Sequence, residues 1–363
     1  MTLAPHSYFT ATYINARQNF LTAAEESGAA VTNHIHPLKG PRGEELALDV
    51  AAFGDPDAKK VFVTMSATHG GEGFLGSAAQ TGWLTEGRYH DIPKGVAVVL
   101  MHAVNPHGFA WLRRVTEGNV DLNRNFLDYA EPVPEKLEYD RLHAAICPDD
   151  WTNSALKEAQ NILNAYSEEH GQKTLNRVMM GGQFSRPDGV FYGGTAPTWS
   201  RINILATLDA HTANADHIAL IDFHTGLGPS GHGECYIVGS EGDPGVEKAN
   251  VLWGDNGVTV LASSGRQQAH AGYNLTGIAR ELAPKAFYGN TLEFGTHPLN
   301  DVYHALRADN WLHLHGDLNS DFAAKTKAEL KEAFSPDSDV WREAVYTRSM
   351  DVWDHGLRNL VNL

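Results

Sequence analysis

Three unbroken apolar runs, VFVTMSA at 61–67, GVAVVLMHAV at 95–104 and HIALIDF at 217–223, constrain this chain more than any other feature. A strand with one wet face alternates apolar and polar residues, whereas runs like these belong to strands covered by helices on both faces. Two further strand-like runs, AAVTNHIHPL at 29–38 and ELALDVAAFG at 45–54, flank the Pro/Gly turn KGPRGE and read as sheet neighbours. Residues 7–27 carry aromatics, leucine and charge at helical spacing and stop at Ser27-Gly28. The predicted fold is a three-layer α/β/α sandwich around a mixed, mostly parallel, doubly wound sheet.

No internal repeat or linker divides the chain. Residues 1–45 read as a helix-and-strand extension, and 46–363 as one catalytic domain with a helical C-terminal segment from about 300, broken at SPDSD. Between them, 153–171 is helical and 183–201 is an irregular loop long enough to suggest function, such as narrowing a cleft. The balance of 44 acidic against 28 basic residues, net charge -16, excludes partners that are gripped by neutralising phosphates. Cys147 and Cys235 lack the spacing of a disulfide framework or thiolate metal site. No apolar run approaches the ~20 residues of a membrane span, and the first residues lack the pattern of a secretory signal, so a cytoplasmic protein is expected.

The 61–67 strand runs into THGGEG, which carries His69 and Glu72. Glycines 70, 71 and 73 would let the backbone turn sharply, so that both side chains face a point beyond the strand's carboxyl end, the edge at which open α/β sheets bind ligands. A His-x-x-Glu pair alone is weak in a chain with 19 histidines. A second strand, however, ends in the same way at His224, just before Gly226. Two neutral imidazoles and one carboxylate form a shell for one zinc ion per chain, with a position left open. In NPHGFAWLRRVTEGNVDLNRNF, residues 105–126, Asp121, Asn123, Arg124 and Asn125 crowd among Val120, Leu122 and Phe126. The fork of Arg124 beside the Asn123 amide suits a substrate carboxylate.

The order THGGE, NPHGF, an arginine, VDLNRNF, a strand-end DFHTG and then LEFGT resembles the zinc carboxypeptidases of the carboxypeptidase A type, and more closely a bacterial branch of that superfamily. The resemblance covers residues 61–298, about two-thirds of the chain. It implies a phosphorylase/hydrolase-like α/β/α fold with His69, Glu72 and His224 as metal ligands. It also implies a carboxylate at Asp121 that fixes the His69 tautomer, and Asn123 with Arg124 gripping the free carboxylate of a small peptide or amide. Arg114, with adjacent Arg113 as its competitor, would polarise the scissile carbonyl. Glu293 would serve as general base on the metal-bound water and then protonate the leaving amine. Tyr273 would close over the chain end, and the pocket floor would fall on Ile278, favouring apolar terminal side chains, or on Arg280, favouring acidic ones.

The function implied is that of a zinc metallocarboxypeptidase. The aspartoacylase and succinylglutamate desuccinylase group shares a strand-end His-x-x-Glu, DLNR and a later histidine and glutamate, so an N-acyl amino acid deacylase is the alternative. NPHGF and EFGTHP favour the peptidase. A metal-bearing protein that only binds chain ends would have no need of Glu293.

Overall fold

The computed structural model describes residues 4–239, 244–254, 258–262 and 271–363. Among them are eight strands: β1 (Ala30–Lys39), β2 (Glu45–Phe53), β3 (Lys60–Met65), β4 (Val96–His102), β5 (His217–Ser230), β6 (Gly233–Gly239), β7 (Val258–Ala262) and β8 (Ala286–Gly295). They form one sheet in the order β1-β2-β4-β3-β5-β8-β6-β7. The centre, from β4 through β3 and β5 to β8, is parallel. The first two strands run antiparallel on one side, and β6 is antiparallel to β8 on the other.

The apolar runs divide residue by residue between the two faces, as the two-residue period of a strand requires. Phe62, Ala219, Ile221 and Phe223 join one core with Trp83, Leu252, Trp253 and Trp353, from the helices Gly73–Thr85, Pro244–Trp253 and Asp339–Leu360. Val61, Val63, Met65, Ile218 and Leu220 join the other with Ile204, Leu208, Leu275 and Ile278, from the helices Trp199–Thr212 and Asn274–Leu282. Helices therefore cover both faces, and the fold is the three-layer sandwich expected from the sequence.

Helix Tyr13–Glu26 starts at a Thr12 cap and sets Phe20 and Ala24 into the first core, while β1 pairs with β2 along the edge of the sheet. The C-terminal segment is helical over Leu299–His315, Asp321–Phe334 and Asp339–Leu360. Two of its helices and the 137–191 region bury a separate cluster that includes Tyr139, Leu163, Met179, Phe191, Tyr303 and Phe334. That region contains helices Leu137–Ile146 and Gln172–Met180 besides the expected one at Asn153–His170. The two unforeseen helices have 10 and 9 residues, too few turns for a clear 3.6-residue pattern. β6, β7 and β8 were not foreseen either: the first two have only 7 and 5 residues, and Gly289 and Asn290 interrupt the apolar residues of β8. Cys147 and Cys235 are free. No helix among the described residues is long and apolar enough to cross a membrane.

Candidate active site

β3 ends at Met65, and the chain leaves the sheet through Ala67 at φ 60°. His69 follows in extended backbone, and Gly70–Glu72 make one 3-10 turn into the helix Gly73–Thr85. The glycines of this turn act differently from the sequence expectation. Gly70, Gly71 and Gly73 are absent from the left-handed region; two of them provide room instead. A Cβ on Gly70 would lie 1.8 Å from the carbonyl carbon of Gly108, and one on Gly73 would lie 2.8 Å from the Ala67 Cβ. The turn is thus pressed against the 105–115 segment, whose backbone also accepts from it: Gly70 N–H donates to Arg114 O and Gly71 N–H to Arg113 O.

The strand pattern supplies the rest of the cluster. Asp222 and His224 share one face of β5 because they are two residues apart, and Glu293 of β8 lies in register opposite His224. His69, Glu72 and His224 are all nearly fully buried. Each imidazole is held through Nε2 by a carboxylate: His69 by Asp121 Oδ1 at 3.1 Å and His224 by Asp222 Oδ2 at 2.7 Å. Both Nδ1 atoms therefore turn to Glu72, at 2.9 Å from Oε1 and 3.1 Å from Oε2. With each Nε2–H donated to its aspartate, a cation that replaced the proton between Nδ1 and Glu72 would find the Nδ1 lone pair directed at it. His69 Nδ1 makes no hydrogen bond even at this distance. The two nitrogens and the carboxylate oxygen lie within 4.8 Å of one another and could hold a metal ion; the donor set of two imidazoles and one carboxylate suits zinc.

Electrostatics favour positive charge at the same point. Burial opposes the His224 imidazolium, but Asp222 and Glu72 outweigh it and hold its pKa well above the usual histidine range. Burial likewise opposes ionisation of Glu72, yet His69 and His224 keep its carboxyl below the usual range. Asp121, which also accepts from the Asn123 N–H at 2.9 Å and from Arg114 Nε at 2.9 Å, is lowered in the same way, mainly by Arg114 and His69 against burial. Glu293 behaves oppositely. Burial, reinforced by the charge of Glu72, pushes its carboxyl up to about 8, and its Oε1 accepts from the Leu227 N–H at 3.1 Å.

The family described as "Protein of unknown function (DUF2817)" matches residues 9–348. The chain belongs to this family. No curated protein sequence matches it. Among solved structures, thrombin activatable fibrinolysis inhibitor is similar at TM-score 0.50 and 12% identity, over 96% of this chain and 76% of that one. Its bovine form, in complex with tick carboxypeptidase inhibitor, gives TM-score 0.48 and 12% identity over 95% and 98%. Carboxypeptidase A from Helicoverpa armigera gives 0.47 and 13% over 90% and 74%. At such identities the likeness is one of fold.

In this DUF2817 chain the two adjacent arginines part company. Arg114 donates from Nε to Asp121 and from Nη1 to Glu72 Oε1 at 3.1 Å. Arg113 turns to Asp309 at 3.2 Å and to Asn119. Arg124 is buried, donating to the carbonyls of Asn123 at 2.6 Å and Met180 at 2.7 Å. Asn123 accepts the Asn274 N–H at 3.0 Å and so anchors the start of helix Asn274–Leu282. The Tyr273 hydroxyl bonds to Thr291 Oγ1. Two sequence candidates stand apart from the cluster. Arg280, half exposed, spends its guanidinium on the Phe126 carbonyl and on Glu281; Ile278 is fully buried in the apolar core.

Three contributors escaped the sequence reading. Asp222 could have been found, since Asp-x-His on a strand puts both side chains on one face. Asn274, which donates to Asp222 Oδ2 at 2.6 Å, and Phe191, whose ring lies 4.8 Å from Arg114 Cζ, come from remote segments and carry no local signal. Phe191 does lie in the 183–201 loop singled out for its length.

Proposed function

We propose that the chain is a metal-dependent hydrolase that cleaves the amide bond of a small peptide or peptide-like substrate bearing a free carboxylate. The observation that carries this reading is the pair of imidazoles pinned at Nε2 by Asp121 and Asp222, with both Nδ1 atoms converging on Glu72. His69, Glu72 and His224 would hold the ion. A zinc ion so held supplies Lewis acidity, activating water and polarising a carbonyl.

The remaining chemistry is assigned to this chain's own side chains. Glu293, beside His224 in the sheet, takes a proton from the attacking water and passes it to the leaving nitrogen. Its raised pKa suits that exchange, although a bound cation would draw it back towards the ordinary carboxylate range. Arg114, partly buried and fixed between Asp121 and Glu72, offers positive charge to the oxygen on which negative charge develops. Arg124 has no carboxylate within ion-pair reach among the described residues, and its two protein acceptors are neutral carbonyls. A buried guanidinium without a counter-charge is costly, and a substrate carboxylate would supply one.

Deacylation of N-acyl amino acids is the second reading. Burial of Arg124 and the ring of Phe191 5.9 Å from its Cζ favour a short substrate over a long chain. A peptide library and a panel of N-acetyl and N-succinyl amino acids, digested in parallel and analysed by mass spectrometry, separate the two. Glu293→Gln should lower kcat on the best substrate by at least about a hundredfold while leaving bound zinc near one per chain. Wild-type turnover in that variant would sink the proton-transfer role, and zinc-free protein from a chelator-free preparation would sink the metal site.

A further inference from the structure

Two donors close to the arginines are buried without a hydrogen-bond partner: Arg124 Nε and the Tyr303 hydroxyl. Tyr303 lies on the helix Leu299–His315 and is only 7% exposed. One ring joins these groups. Phe191 has Arg114 Cζ at 4.8 Å, Arg124 Cζ at 5.9 Å and the Tyr303 ring edge-on at 6.4 Å. Its backbone is held at φ 57°, a conformation in which a bulky side chain is strained and which gathers at functional sites.

Buried donors normally find acceptors. Both unpaired groups here are donors, and Arg124 makes no ion pair among the described residues, Asp121 acting on it from beyond ion-pair distance while pairing with Arg114. An acceptor with two anionic oxygens would satisfy both. Burial also raises the Tyr303 phenol above its ordinary pKa against the pull of Arg114 and Arg124, so it stays protonated and able to donate.

We propose that Tyr303 is a specificity-determining residue: its hydroxyl donates to one oxygen of the substrate carboxylate, Arg124 donates to the other, and the Phe191 ring walls the recess from water. The proposal rests on the carboxylate-binding reading of Arg124. It assigns the tyrosine arm of the grip to Tyr303, whose hydroxyl is free, instead of to Tyr273, whose hydroxyl is spent on Thr291.

Equilibrium titration with N-acetyl-phenylalanine and N-acetyl-phenylalaninamide, which differ at the carboxylate alone, tests this without turnover. The wild type should bind the acid more tightly than the amide. Tyr303→Phe keeps the ring and its packing on Phe191, and should bind the acid about tenfold to a hundredfold more weakly, with amide affinity, melting temperature and zinc content unchanged. If the wild type discriminates and Tyr303→Phe discriminates equally well, or loses both ligands alike, the Tyr303 assignment is wrong and the Arg124 grip survives. A wild type that treats acid and amide alike, or binds neither, removes the carboxylate reading and this inference with it.

Discussion

At the residue scale, the His69–Glu72–His224 cluster depends on side chains that lie outside it. Asp222 holds His224 Nε2 at 2.7 Å and is itself held by Thr68 Oγ1 at 2.7 Å and Asn274 Nδ2 at 2.6 Å. Losing such a partner frees the imidazole to rotate or to change tautomer, and typically weakens metal binding tenfold to a hundredfold. Asp222→Asn should therefore lower zinc affinity by about that factor in a chelator competition, with His224 still present. Wild-type affinity in this variant would mean that the imidazole needs no orienting carboxylate, and the ligand geometry described above would be wrong. The histidines and Glu72 were legible in the sequence as strand-end residues. Asp222 was legible in principle, through its spacing from His224.

At the element scale, the 69–73 turn works through close approach. A Cβ on Gly70 would collide with the backbone of Gly108 and Phe109 at 1.8 and 2.1 Å, whereas one on Gly71 would meet Phe334 Cδ2 at an ordinary 3.7 Å. Backbone cannot yield as a flexible side chain does, so Gly70→Ala should cost at least the ~1–3 kcal/mol of an overpacked core. Gly71→Ala should stay within about 1 kcal/mol of wild type. Thermal melts of the two variants measure the difference, and equal melting temperatures would refute the packing account. The sequence marks these positions as glycine and suggests turning. That they serve contact with the 105–115 segment depends on the separation of two remote elements, which no local pattern encodes.

At the scale of the whole molecule, the C-terminal helices brace the loop that carries Arg114. Asp309 on helix Leu299–His315 accepts Lys327 Nζ, from helix Asp321–Phe334, at 2.5 Å and Arg113 Nε at 3.2 Å. Burial opposes its charge, but Lys327, Arg113 and His313 outweigh that and lower its carboxyl pKa. A carboxyl more acidic in the folded than in the unfolded chain contributes stability that is fully present above the ordinary carboxylate pKa and is lost as the pH falls through the folded value. Asp309→Asn should destabilise the protein by about 3–5 kcal/mol at neutral pH, since it leaves Lys327 and Arg113 short of a buried counter-charge. It should also flatten the acid-side fall in melting temperature below about pH 4. An unchanged melt at neutral pH would show that the bracing is dispensable.

The sequence by itself determined the layered architecture, because unbroken apolar strands can be satisfied only by helices on both faces. It also marked His69, Glu72 and His224 as neighbours at the sheet's carboxyl edge, because they stand at strand ends or just beyond them, where direction is fixed by the two-residue period, whereas Glu293 was singled out by the family resemblance alone. Tertiary structure alone placed Arg114 against Asp121 and Glu72 and turned Arg113 to Asp309. It alone set Arg280 against the Phe126 carbonyl and Glu281 and brought Phe191 to the arginines and Tyr303 to Phe191. Most of these are contacts between segments far apart in the chain, set by how helices pack on the sheet, and packing distances leave no periodic trace in the order of residues.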